Sequence, residues 1–149
     1  MIHIPVERVR SASARTLPPE TPVDEAAERL RDPEVPVLVV LEDESVVGVV
    51  TESDFVALVA EGRTDLPVER IMSSPVVTIE PSASITLAAR RMRESGVRQL
   101  PVVENGAYRG VLTASALSSY LSRHSLEIDW KNEPLRIERE ATGTVAPEE

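Results

Sequence analysis

The sequence predicts an α/β (α+β) protein: two β-α-β-β-α repeats packed about a pseudo-twofold axis. Three observations predict it. Displaced by 62 residues, the 149-residue chain falls on itself without a gap. Each copy holds one apolar helical face followed by two β-branched runs. A unit of about 60 residues buries too little surface to be comfortable alone, so two copies should pack their sheets together.

The self-match is spread along the whole copy. Pro5-Val6-Glu7-Arg8-Val9 lies on Pro67-Val68-Glu69-Arg70-Ile71, and Thr16-Leu17-Pro18-Pro19 on Thr78-Ile79-Glu80-Pro81. Ala26 to Arg31 lies on Ala88 to Arg93, and Gly48-Val49-Val50-Thr51-Glu52-Ser53 on Gly110-Val111-Leu112-Thr113-Ala114-Ser115. Repeat 1 is placed at residues 4–65, repeat 2 at 66–123, and an acidic C-terminal tail, expected to be partly disordered, at 124–149.

Each copy should open on a short extended piece, Ala14 to Leu17 or Val76 to Ile79, ending at a proline-containing turn. A helix follows. Its apolar positions, Val23, Ala26, Ala27 and Leu30, then Ile85, Ala88, Ala89 and Met92, fall at i, i+3, i+4, i+7. Thr21, Pro22 and Asp24 supply a cap, a first-turn proline and an N-terminal acid for the first helix, and Ser84 caps the second. Strand pairs come next: Val35–Leu41 with Val46–Val50, and Val97–Val103 with Tyr108–Leu112. Glu104-Asn105-Gly106 between the latter pair is a hairpin signal. A second helix starts just after Thr51 or Thr113 and runs to about Ala60 or Leu121, with Gly62 where a C-terminal cap belongs. In the tail, Leu126, Ile128 and Trp130 alternate with acids, as in a short edge strand, and the last ten or so residues read as a floppy acidic end.

Composition narrows the function. Apolar residues are 42% and charged residues 28%, enough for a core. No run approaches the ~18 apolar residues of a membrane helix, and the N-terminus has no apolar signal region. Cysteine is absent, which removes disulfides and thiolate chemistry. The expectation is a soluble, cytoplasmic protein. Sixteen basic against 25 acidic residues give −9, which argues against a nucleic-acid partner. Lys131 is the only lysine, a bias that fits a high-salt (halophilic) cytoplasm or a GC-rich genome equally.

Enzymatic constellations are missing. His3 and His124 have no partner at metal-ligand spacing, and Glu42-Asp43-Glu44 reads as a solvated hairpin turn rather than a cation site. No nucleophile elbow, P-loop or dinucleotide fingerprint occurs. The sharp candidate is Thr51-Glu52-Ser53-Asp54, at a strand-to-helix junction. A helix start gathers free N–H groups and suits phosphate, and a carboxylate three residues on can accept from both ribose hydroxyls. T-x-x-D ahead of an apolar run is also nearly a capping box, in which Thr51 bonds the Asp54 N–H and Asp54 reaches back. Repeat 2 holds Thr113-Ala114-Ser115-Ala116 at the same place, so the equivalent helix is expected to start without the acid.

The order T-h-x-P, apolar helix, Gly96-Val97-Arg98-Gln99-Leu100-Pro101-Val102-Val103 and G-h-h-T-x-S, twice in tandem, resembles a pair of CBS domains, a Bateman module, over residues 4 to 123. Repeat 1 is degenerate across Glu34 to Leu41, and rests there on the gapless alignment and on Gly48 to Asp54. The resemblance implies adenosine-type ligands (AMP, ADP, ATP or an S-adenosyl compound) in the cleft between repeats. It implies a nucleotide site made of Val49, Thr51, Ser53, Asp54, Val76, Val77, Arg98, Gln99, Thr113 and Ser115. Thr51 and Asp54 would take phosphate and ribose, the backbone of Val76 and Val77 the adenine, and Arg98 with Gln99 the phosphates. Arg98 reads equally as a solvated strand-end residue. In the pseudo-symmetric site Ala116 replaces the acid and Pro36 the arginine, so one competent site per chain is expected.

The expected function is therefore a stand-alone, non-enzymatic regulatory module with no cofactor or metal, signalling to an unidentified protein. The rival is a ligand-free structural module that docks to an enzyme or transporter. A homodimer is expected, because helices Glu52–Glu61 and Ser115–Leu121 carry apolar residues on more than one face: Phe55, Val56, Leu58 and Val59, then Leu117, Tyr120 and Leu121.

Overall fold

The computed structural model describes residues 3–11, 15–74, 76–124, 126–128 and 137–139. In the first half, β1 (Arg15–Leu17) pairs parallel with β2 (Leu38–Glu42), and β2 runs antiparallel to β3 (Ser45–Val50). Helix α1 (Val23–Leu30) lies between β1 and β2, and α2 (Glu52–Ala60) follows β3. The second half repeats this with α3 (Ile85–Ser95), the antiparallel pair β4 (Gln99–Glu104) and β5 (Ala107–Thr113), and α4 (Ala114–Arg123). Both hairpins turn through two residues of positive φ, Asp43 and Glu44 in one and Asn105 and Gly106 in the other. Both carry a register shift, after Val40 and after Val102, positions 62 residues apart.

Several expectations shift in detail. The extended piece Val76–Ile79 pairs only at its end: Ile79 N–H donates to Pro101 O at 3.0 Å and Ile79 O accepts from Val103 N–H at 2.9 Å. Val76 instead packs against the buried trio Val37, Val49 and Val111. Strand β2 starts at Leu38 rather than Val35 because Pro36 has no N–H to give the ladder, although Val35 and Val37 are buried all the same. At α1 the cap position belongs to Pro22, and Thr21 Oγ1 donates backwards to Pro18 O at 2.8 Å, so Thr21 is not the cap. Ser84 does cap α3, its Oγ accepting from Leu87 N–H at 3.0 Å. Gly62, at φ 72°, ends α2 with Gly62 N–H donating to Val59 O and Arg63 N–H to Leu58 O.

The two cores are built reciprocally. Val6, in a short 3-10 turn (Val6–Arg8), is fully buried among Ile85, Leu100 and Leu112 of the second half. Val6 N–H donates to Ala83 O at 2.7 Å and Ile85 N–H to Ile4 O at 2.9 Å. Val68, in the matching turn (Val68–Arg70), is fully buried among Leu17, Val23 and Val50 of the first half, and its N–H donates to Thr21 O at 2.8 Å. Ser11 then bridges Val111 of β5, while Ser73 bridges Val49 of β3. Gly110 allows the first of these: a Cβ there would sit 2.6 Å from Ser11 O. Each sequence repeat therefore lends its leading strap to the other repeat's core.

After α4, β6 (Leu126–Ile128) pairs antiparallel with β7 (Ile137–Arg139). Leu126 and Ile128 are buried with Leu117, Tyr120 and Leu121, so the apolar residues of α4 are used in its own core and do not form a second face. Part of the segment after Pro134 thus has a pairing partner. Trp130 and the last ten residues lie outside the described residues.

Candidate functional site

Where the two sheets meet, over Val37, Val49 and Val111, a cleft of about 590 Å³ opens. From the first half it is lined by Asp32, Pro33, Val35, Pro36 and Val49, by Thr51 to Asp54, and by Ser73 of the strap; from the second by Gly96 to Gln99 and Thr113 to Ser115. Eight of the ten residues singled out from the sequence line it together: Val49, Thr51, Ser53, Asp54, Arg98, Gln99, Thr113 and Ser115. Val76 and Val77 do not. Val76 lies in the apolar cluster between the sheets, and Val77 packs against the second core.

The two pseudo-equivalent helix starts differ in how they are tied. At α4, Thr113 Oγ1 accepts from Ala116 N–H at 3.0 Å, an ordinary hydroxyl cap. At α2, Thr51 N–H donates to Asp54 Oδ2 at 2.8 Å, and Thr51 Oγ1 lies 3.1 Å from Ser53 Oγ. Asp54 is a cap residue, then, but the fold starts the same helix without one. Partial burial holds the Asp54 carboxyl above the usual carboxylate range, opposed by its hydrogen bonds with Thr51. A carboxylate has about four lone-pair sites, so acceptor capacity remains for the paired hydroxyls of a ribose.

Arg98 is exposed at the cleft rim, its carbonyl accepting from Ala114 N–H at 2.8 Å. Among the described residues its guanidinium has no hydrogen-bond or ion-pair partner, which leaves its planar fork to solvent or to an anion. Gln99 opens β4 opposite Thr113. Asp32 and Ser73 were not singled out from the sequence, and Glu52 entered only as part of the Thr51–Asp54 motif, with no role of its own. The repeat offset could have found Asp32, since residues 32–36 are the counterparts of 94–98 and both segments line the cleft. No group of three or more His, Asp or Glu among the described residues could hold a metal ion. His124 stacks on Tyr120 with ring centroids 4.1 Å apart, away from the cleft. No described helix is long and apolar enough to cross a membrane.

The profile of the CBS domain matches twice, at residues 6–61 and 68–123. A curated 33.4 kDa protein of Thermofilum pendens, from a ribosomal RNA operon, is 39% identical over 88 residues, 59% of this chain but only 29% of that protein. A crystal structure of a conserved protein from Pyrococcus horikoshii superposes with a TM-score of 0.75 at 30% identity, covering 85% of this chain and 98% of the other. A protein of Pyrobaculum aerophilum, crystallised with AMP, superposes with a TM-score of 0.71 at 28% identity, covering 76% of this chain and 90% of the other.

Proposed function

The chain belongs to the CBS-domain family as a tandem pair, and from that premise we propose that it is a regulatory module binding an adenosine-type nucleotide in the cleft between its repeats. The observation that carries the reading is the convergence in one cleft of Asp54, the hydroxyls of Thr51, Ser53, Thr113 and Ser115, and the Arg98 guanidinium. In the proposed pose Asp54 accepts from the ribose hydroxyls and Arg98 meets a phosphate or other anion. The AMP held by the Pyrobaculum aerophilum protein supports this ligand class. The cleft spans both repeats, so a ligand that prefers one relative orientation shifts their balance, which is how a partner protein would read it. No residue here is assigned a catalytic role, and the cytoplasm is the proposed location. Pairing of two copies through α2 completes the proposal, since Val56 and Val59 are 70% and 69% exposed.

Titration calorimetry with AMP, ATP and adenosine tests the site. Asp54→Ala removes charged-acceptor hydrogen bonds worth roughly 1.5–3 kcal/mol each, so affinity for all three should fall at least ~10-fold. Arg98→Ala should weaken AMP and ATP but spare adenosine. Unchanged affinities in both variants would refute the site, and a wild type that binds none of the three would leave the ligand-free docking module as the better reading.

A further inference from the structure

The two walls of the cleft carry opposite charge. Residues 4–65 hold 14 acidic and six basic side chains, and residues 66–123 hold four and seven, a formal −8 against +3. The difference reaches the cleft. The first-repeat wall brings Asp32, Glu52 and Asp54 and no cation; the second-repeat wall brings Arg98 and no carboxylate. Glu52 stands where the second repeat has Ala114, and Pro36 stands where it has Arg98. The same strand-to-helix junction forms with Glu52 or with Ala114, so the Glu52 charge is not needed to build it.

Resting on the nucleotide reading above, we infer that the cleft selects among adenosyl ligands by the charge of the 5′ substituent, taking one with cationic centres and a single anionic end in preference to a di- or triphosphate. One guanidinium faces three carboxylates. A triphosphate can satisfy Arg98 with one phosphate, but its remaining charges lie in a cleft whose other ionised groups are all acids. A substituent with one carboxylate and cationic ammonium and sulfonium centres, as in S-adenosylmethionine, meets Arg98 with the first and the Asp32–Glu52 wall with the others. Asp32 and Glu52 are thus specificity-determining, acting mainly by repelling the wrong ligand. Asp32 Oδ1 also accepts from Glu34 N–H at 2.9 Å, an acceptor that asparagine keeps.

The test is calorimetry without divalent cations, which would mask phosphate charge. Adenosine, S-adenosylmethionine and ATP are titrated into the wild type and into the double variant Asp32→Asn, Glu52→Gln. S-Adenosylmethionine should bind the wild type at least ~10-fold more tightly than ATP. The double variant should narrow that ratio about 10-fold, since one unit-charge pair ~6 Å apart is worth roughly threefold even in bulk water. Adenosine should bind both proteins equally. ATP binding as tightly as S-adenosylmethionine, or a ratio unmoved by the variant, overturns the inference. If adenosine binds while the charged ligands do not differ, charge selection fails and the nucleotide site stands; if nothing binds, the nucleotide reading itself falls.

Discussion

Asp54 does two things that pull in opposite directions. It ties the start of α2 through Thr51, yet it does so with a partly buried charge whose pKa is raised mainly by desolvation. A carboxyl that holds its proton more tightly when folded favours folding most when protonated. That contribution is complete below the unfolded value, near 3.8, and is lost as pH rises through the raised folded value. Asp54→Asn keeps an acceptor for Thr51 N–H without the charge. Its melting temperature at pH 7 should therefore equal or exceed that of the wild type, with any advantage fading near pH 4. Thermal melts at the two pH values check this, and a loss of several degrees at pH 7 would show the charge to be structurally required. The dual character of T-x-x-D was legible in the sequence, because the second repeat supplies its own control in Thr113-Ala114-Ser115-Ala116. The packing of Val76 into the apolar cluster between the sheets was not, because an extended piece has no periodicity to say which neighbour it will face.

Elements read by period survived best. Helices α1 and α3 fall where the i, i+3, i+4, i+7 pattern puts them, and the two-residue turns were marked by their own residue types. Pattern reading is weaker at the straps, where Pro-Val-Glu-Arg repeats faithfully but nothing in one strap names the core that receives it. Local pattern assigns each strap to the repeat it precedes; the structure gives it to the other. Val6→Ala tests that exchange. Truncating a fully buried valine should cost about 2 kcal/mol and lower the melting temperature by several degrees. The local loosening should appear in hydrogen exchange at Ile85 and Leu100, far along the chain, rather than at Leu38 or Val50. The reverse pattern would return the strap to its own repeat.

For the whole molecule, the two halves are alike in backbone and unlike in surface. Leu121 of α4 is covered by the β6 segment, whereas its counterpart Val59 on α2, with Val56 beside it, is left in solvent. Two large apolar side chains on one short helix make a patch that a second copy would cover. Light scattering at micromolar concentration, in salt sufficient to screen a net charge of −9, should give a dimer mass. Val56→Glu with Val59→Glu should give a folded monomer, and a monomeric wild type would end this expectation. The twofold plan was visible in the 62-residue offset, but the covering of α4 was not, because the alternation at Leu126 and Ile128 does not say which face it will meet.

The exchanged straps also bear on ancestry. A gene encoding one repeat would make a product whose own leading strap has no home, and whose core lacks the Val6- or Val68-like residue that closes it. Two such products could satisfy each other only by trading straps, as in a domain-swapped dimer. Joining the genes end to end makes the trade intramolecular, so its completion no longer depends on how many molecules the cell contains. With the two copies tethered, each can differ where the other does not: Pro36 stands opposite Arg98, and Ala116 opposite Asp54.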